Sequence, residues 1–328
     1  MTPVGAPVRN GTVLTASVPA GGVTIVEFTS AHRLAAVVAL VTGLAACAAP
    51  SAGQPGAEDR PVQEVIADPA LAACVAGAAG LPDATAPVSP ADLAAVYVLQ
   101  CDGLSSAAGP IRSLEGIQAL SSLTELGAPR NEITDLTPVA ALTALGTLTL
   151  TDNAVSDLSP LAGLALFDLG LSQNPISDLS PLAGTTTLSA LGVATAQVTD
   201  IGPLAGHDGL RELDLSGNAI TDVSPLAGLP TLDTLRLGQN RIADPTPLGT
   251  IPTLLVLDVF GNQIADVRGL AGAPLLQELQ LGANPLTDLT PLLQVRSLVN
   301  LGLDETDSTR LTGIEQLRAA GVSVNGLA

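Results

Sequence analysis

Tryptophan and lysine are absent from the 328 residues, and one Tyr with three Phe hold the aromatic share to 1%. Without lysine there is no phosphate-cradling Walker lysine, no Schiff base and no amine nucleophile. Two histidines, His32 and His207, leave little for a catalytic triad or a His-rich metal site. No C-x-x-C occurs, and no G-x-G-x-x-G opens a helix after a strand. Basic residues are few as well: 12 Lys+Arg face 31 Asp+Glu, for a formal net charge of −19. A chain this acidic has no basic face for phosphates, so nucleic acid is excluded as a partner. No cofactor is expected. Yet 47% of residues are hydrophobic, so a folded interior must be built from aliphatic side chains.

What is there is a repeat. Leu213–Leu229 reads LDLSGNAITDVSPLAGL, and close copies start at Leu148 and Leu169. Asparagines fall at Asn131, Asn153, Asn174, Asn218, Asn240, Asn262 and Asn284, in steps of 22 residues with one step of 21. Ala196 and Thr306 occupy the two slots that lack asparagine. The pattern L-x-x-L-x-L-x-x-N at this period resembles leucine-rich repeats. The L-x-L pairs Leu148/Leu150, Leu213/Leu215, Leu235/Leu237 and Leu279/Leu281 alternate at period 2, which marks short half-buried strands. Stacked copies predict an α/β solenoid, a leucine-rich-repeat horseshoe with a parallel concave β-sheet and a 3₁₀ or irregular convex side.

Two polar positions have structural readings. The ladder asparagine turns the chain after each strand and can bond backbone that would otherwise be buried unpaired. An acid recurs at Asp135, Asp157, Asp178, Asp200, Asp222, Asp244, Asp266 and Asp288, in most copies two residues before a Ser/Thr-Pro pair. That spacing suits the start of a short 3₁₀ turn with Pro at its first position. Acids one repeat apart do not cluster as a Ca²⁺ loop requires, so no metal site is expected.

The motif N-x-I-x-D-[LIV]-[ST]-P-L-x-x-L is similar to the 22-residue repeats of bacterial internalins and related surface proteins, and covers about Leu104 to Thr306. The resemblance implies a curved solenoid that binds other macromolecules and has no enzymatic activity. It also implies a helical N-terminal cap: Asp68–Leu81 reads as a helix with Asp at its N-cap, a second starts at Ser89-Pro90, and Val96–Leu99 is strand-like. Cys74 and Cys101 would face the cap junction and are read as a disulfide; the alternative is two buried thiols. Gly313–Ala320 reads as a helix and Val322–Val324 as a covering strand.

Cys47 has another context. His32-Arg33, the 13-residue apolar run Leu34–Ala46 and the ending L-A-A-C describe a secretory signal, too short to span a bilayer. The ending is similar to a bacterial lipobox, in which Cys47 becomes the lipidated N-terminus. The expected organisation is therefore 1–30 an unassigned prefix, 31–47 a lipoprotein signal, 48–62 a flexible tether, 63–103 the helical cap, 104–310 the repeats and 311–328 a C-terminal cap. Thr12–Val18 and Val23–Phe28 in the prefix read as a β-hairpin. Either translation starts near Val23 or Val26, which is favoured, or the prefix is unrelated.

The expected binding face is the set of outward strand positions. Arg236, Phe260, Asp214, Asp258, Glu212, Glu278 and Gln280 are its candidate residues. Asp214, Arg236 and Asp258 should be successive rungs of one column, and Phe260, between Gly238 and Gly282, should stand proud as a hot spot or fold down over the sheet. This face departs from the aromatic-rich concave faces of internalins, so a basic or polyhydroxylated partner is expected, a cationic protein or a cell-wall glycan. The expectation is a monomeric, lipid-anchored binding module outside the cytoplasm; the alternatives are a cytosolic regulator of another protein and a structural surface spacer. His207 is expected in a solvated loop.

Overall fold

The structure, a computed structural model, describes residues 59–327. The prefix, the signal segment with Cys47 and the tether up to residue 58 lie outside the described residues. The cap begins earlier than the sequence suggested. Strand β1 (Arg60–Pro61) pairs antiparallel with β2 (Pro87–Val88), and helix α1 (Val62–Val65) buries Val62 completely. Residues 60–62 therefore belong to the cap rather than to a tether, because an apolar side chain there has a core to enter. Helix α2 (Pro69–Ala78) starts at the N-cap Asp68, whose Oδ1 accepts the N–H groups of Ala70 and Leu71. The second oxygen of Asp68 accepts from Arg112 and Ser113, which ties the cap to the first repeat. Helix α3 (Pro90–Ala94) has a capping box between Ser89 and Asp92.

An 11-stranded parallel sheet follows. Its strands are β3 (Val98–Gln100), β4 (Glu125–Gly127), β5 (Thr147–Thr149), β6 (Asp168–Gly170), β7 (Ala190–Gly192), β8 (Glu212–Asp214), β9 (Thr234–Arg236), β10 (Val256–Asp258), β11 (Glu278–Gln280), β12 (Asn300–Thr306) and β13 (Ser323–Leu327). They pair strictly in chain order. The first strand of the array thus lies at 98–100, inside the segment assigned to the cap. At the other end β13, after helix α4 (Ile314–Ala319), pairs with β12 as the last strand of the sheet. Each later strand returns through a short 3₁₀ turn, in most copies opened by Pro. In each of β3–β11 one leucine, such as Leu148, Leu213 or Leu257, is buried, and with the return-limb aliphatics these form a continuous core.

The asparagine ladder joins the coils. The Nδ2 of Asn240 donates to Leu237 O and Gly238 O in its own repeat and to Leu215 O in the preceding one, while its Oδ1 accepts Ile220 N–H. The other six ladder asparagines repeat this pattern, from Asn131 to Asn284. Where the slot holds Ala196 or Thr306, the N–H that would have bonded it (Ile176 or Leu286) turns to the carbonyl of its own Asn174 or Asn284, at 2.8 Å in both. The residue before the slot is left-handed even when it carries a side chain: Arg130, Asp152, Gln173, Thr195, Gln239, Ala283 and Glu305 have φ between 52° and 60°. The sharp turn after the strand imposes this conformation, which would otherwise favour glycine.

His207 is completely buried, not in a solvated loop. It takes a slot filled by Leu164 and Leu229 in other repeats, with Nδ1 and Nε2 each 3.2 Å from a carbonyl, of Leu204 and Leu182 respectively. A turn rich in Gly and Asp hid its burial, because the residue's depth is set by the coil and not by its sequence neighbours.

Candidate functional site

The concave sheet face is built by register. Its first outward column runs Val98, Glu125, Thr147, Asp168, Ala190, Glu212, Thr234, Val256, Glu278 and Asn300. The second runs Gln100, Gly127, Thr149, Gly170, Gly192, Asp214, Arg236, Asp258, Gln280 and Gly302. Asp214, Arg236 and Asp258 are indeed adjacent rungs, as the 22-residue spacing required.

The chemistry of that triplet differs from a simple ion-pair ladder. Asp214 Oδ1 accepts the N–H of Ser216 at 2.9 Å, and Asp258 Oδ1 accepts the N–H of Phe260 at 2.9 Å. Both acids thus close Asx turns on their own strands. Asp214 is buried, and Asp258 is held above the ordinary carboxylate range by burial, against the opposing pull of the Phe260 N–H and the Arg236 charge. Glu212, Glu278 and Gln280 are exposed, in the columns expected of them.

Phe260, for which the sequence left a proud and a folded-down ring open, is half-buried. Among the described residues the exposed aromatics are instead Tyr97 and Phe167, 59% and 53% accessible. Both occupy the residue just before a strand, a position that strict period-2 alternation assigns to the interior. The backbone shows why it faces out. The N–H groups of Phe167 and Asp168 both donate to the carbonyl of Gly146 on the preceding coil, and those of Thr124 and Glu125, one coil after Tyr97, do the same to the Tyr97 carbonyl. Two donors on one acceptor form a bulge, which resets the alternation before the strand begins. The ring of Phe167 then lies across Gly146, where an added Cβ would stand 2.4 Å from it. The signal in the sequence was this pairing of Phe167 with a glycine one rung back.

On this rim the acids are not engaged by their own turns. Asp168 is pushed above the ordinary carboxylate range by burial, then by the charges of Glu212 and Glu125. Glu125 accepts a 2.7 Å hydrogen bond from the side-chain amide of Gln100, whose own chain lies over Gly127. Among the described residues no group of three or more His, Cys, Asp or Glu is placed to hold a metal. The cap junction is closed by a Cys74–Cys101 disulfide with Cα atoms 5.8 Å apart.

Residues 208–250 match the family described as "Leucine Rich repeats (2 copies)", and residues 250–267 match "Leucine Rich repeat". Internalin C2 of Listeria monocytogenes is 33% identical over 76% of this chain and 100% of its own, with a TM-score of 0.58. The chain belongs to the internalin-like leucine-rich-repeat proteins. A second Listeria monocytogenes internalin, InlF, shares 24% identity over 82% of this chain and 98% of its own, TM-score 0.61, and the functional domain of InlJ shares 25% over 81% and 60%, TM-score 0.57. Leucine-rich-repeat proteins typically act as protein-binding modules, and this internalin-like protein has the parallel sheet they use. No helix among its described residues is long and apolar enough to cross a membrane.

Proposed function

We propose that this internalin-like protein is a non-catalytic binding module of the bacterial envelope, anchored by a lipid on Cys47 and engaging a protein partner through its concave sheet. The observation that carries the reading is the face itself: a sheet whose outward columns hold acids, Thr and Gly, while its described histidine is sealed among carbonyls and out of reach of a substrate. The signal-like segment 31–47 supports the compartment, and a Cys74–Cys101 bond suits an oxidising one. A cell-wall glycan is the other class of ligand such a polar face fits. The module acts as a monomer.

Membrane fractionation of the native host, with mass analysis of the mature N-terminus, tests the anchor. A diacylglyceryl-modified Cys47 is expected. An unmodified N-terminus in the soluble cytosolic fraction would overturn the envelope reading and redirect the search to intracellular partners.

A further inference from the structure

The chain has one Tyr and three Phe, and Tyr97 and Phe167 expose most of their rings on one rim. They hold equivalent positions just before β3 and β6, so at about 4.8 Å per strand their backbones stand about 14 Å apart. Between them the rim carries exposed Thr124 and Gly146, over which the Phe167 ring lies. Val98, 49% accessible, adjoins Tyr97 and heads the acid column. Exposed apolar surface grouped in this way marks a contact site more often than scattered single side chains do.

Directly inside the rim, Glu125, Asp168 and Glu212 occupy β4, β6 and β8, with Thr147 and Ala190 between. Acids on every second strand lie about 9–10 Å apart. A polyproline II segment repeats its side-chain direction every third residue, about 9.3 Å along the chain. The two periods match. Arg211 stands on the rim beside Glu212, so the third acid is the weakest of the three for a cation.

We propose that the rim and first column of β3–β8 form a docking surface for a cationic polypeptide segment in the polyproline II conformation with a basic residue at every third position, its apolar side chains covering Tyr97 and Phe167. This rests on the reading of the concave face as a protein-binding surface. Charge complementarity selects the occupant: the chain carries −19, Asp168 has no hydrogen bond among the described residues, and its carboxyl feels both neighbouring acids. A cation seated there relieves that repulsion in a half-buried setting, where it is screened less than in open water.

The test uses the full chain and two fluorescein-labelled peptides of equal composition, (Lys-Pro-Leu)₄ and a block arrangement of the same residues. Anisotropy should show the spaced peptide binding at least tenfold tighter than the block peptide, with affinity falling as salt rises. Phe167→Ala and Asp168→Asn should each weaken binding at least tenfold, Glu212→Gln less. Gly146→Ala, which displaces the Phe167 ring without removing it, should weaken binding as well. Leu293→Ala, an exposed apolar change on a return limb, is the control that should leave affinity unchanged. Equal affinity for the two peptides, or wild-type affinity in both Tyr97→Ala and Phe167→Ala with unchanged circular dichroism, would overturn the proposal. Such a result with a lipidated Cys47 removes this docking surface alone. An unmodified Cys47 with intact peptide binding removes only the envelope assignment.

Discussion

The return limb and the concave face both carry aspartates at repeat spacing, and the two sets are in opposite electrostatic states. On the return limb the Oδ1 of Asp135, Asp157, Asp178, Asp200, Asp222, Asp244, Asp266 and Asp288 accepts the N–H two residues on, at 2.8–2.9 Å. Seven of these carboxyls are held below the ordinary range, chiefly by hydrogen bonds from the residue they cap. On the concave face Asp168 and Asp258 are held above it, chiefly by burial. The fold favours the charged form of the first set and disfavours that of the second. An acid retained against the fold's own interest is free to serve a partner, and Asp168, without a turn to close, is the freer of the two.

The largest expected effect comes from breaking what holds the two faces in register. Asn240→Ala deprives three carbonyls and one N–H of their partner in a buried turn. A loss of about 3 kcal/mol is expected from the stranded groups, read as a lower urea midpoint. A loss under about 1 kcal/mol would mean that water or local turns replace the ladder, as the Ile176 N–H does beside Ala196.

The return-limb acids should show the next effect. The combined change of Asp157, Asp178, Asp222 and Asp244 to Ala removes four caps and four negative charges. If the comparison holds, thermal midpoint falls by several degrees at pH 7 even though net repulsion drops. Since folding lowers these pKa values, their contribution is present above pH 3.8, the ordinary carboxyl value, and is lost as pH falls below it. The gap between wild type and variant should therefore close below about pH 3.8. A rise in midpoint at pH 7 would show repulsion outweighing the caps.

The smallest effect has the opposite sign. Asp168→Asn should raise the thermal midpoint at pH 7 by about a degree, because burial and two acids disfavour the charge. Folding raises this pKa, so the cost of the charge is present above the folded value and is relieved as pH falls through it. The gain should disappear in mild acid, above the pH at which the return-limb caps fail. No gain at pH 7 would place Asp168 with the structural acids.

Much of this was legible without coordinates. The 22-residue period places Asp214, Arg236 and Asp258 on adjacent rungs, the Asp-x-Ser/Thr-Pro spacing locates the return-limb caps, and the asparagines mark the turn after each strand. The cap helices followed from local signals, and the Cys74–Cys101 pairing from the resemblance to a helical cap. Other features were not legible. Alternation placed the residue before each strand inside, and the bulge that turns it outward is a hydrogen-bonding arrangement between coils. That is why Phe260 was singled out and Phe167 was not. His207 was misjudged from its polar turn for the same reason.

The sequence by itself determined the repeat, its register and the identity of every column, because a fixed period converts position along the chain into position on the sheet. Tertiary structure alone decided how far single side chains such as Phe167 reach solvent and which acids the fold disfavours in the charged form. Those properties depend on what stands one coil away: Gly146 beneath the ring of Phe167, the Phe260 N–H against Asp258, and Glu212 and Glu125 within electrostatic reach of Asp168.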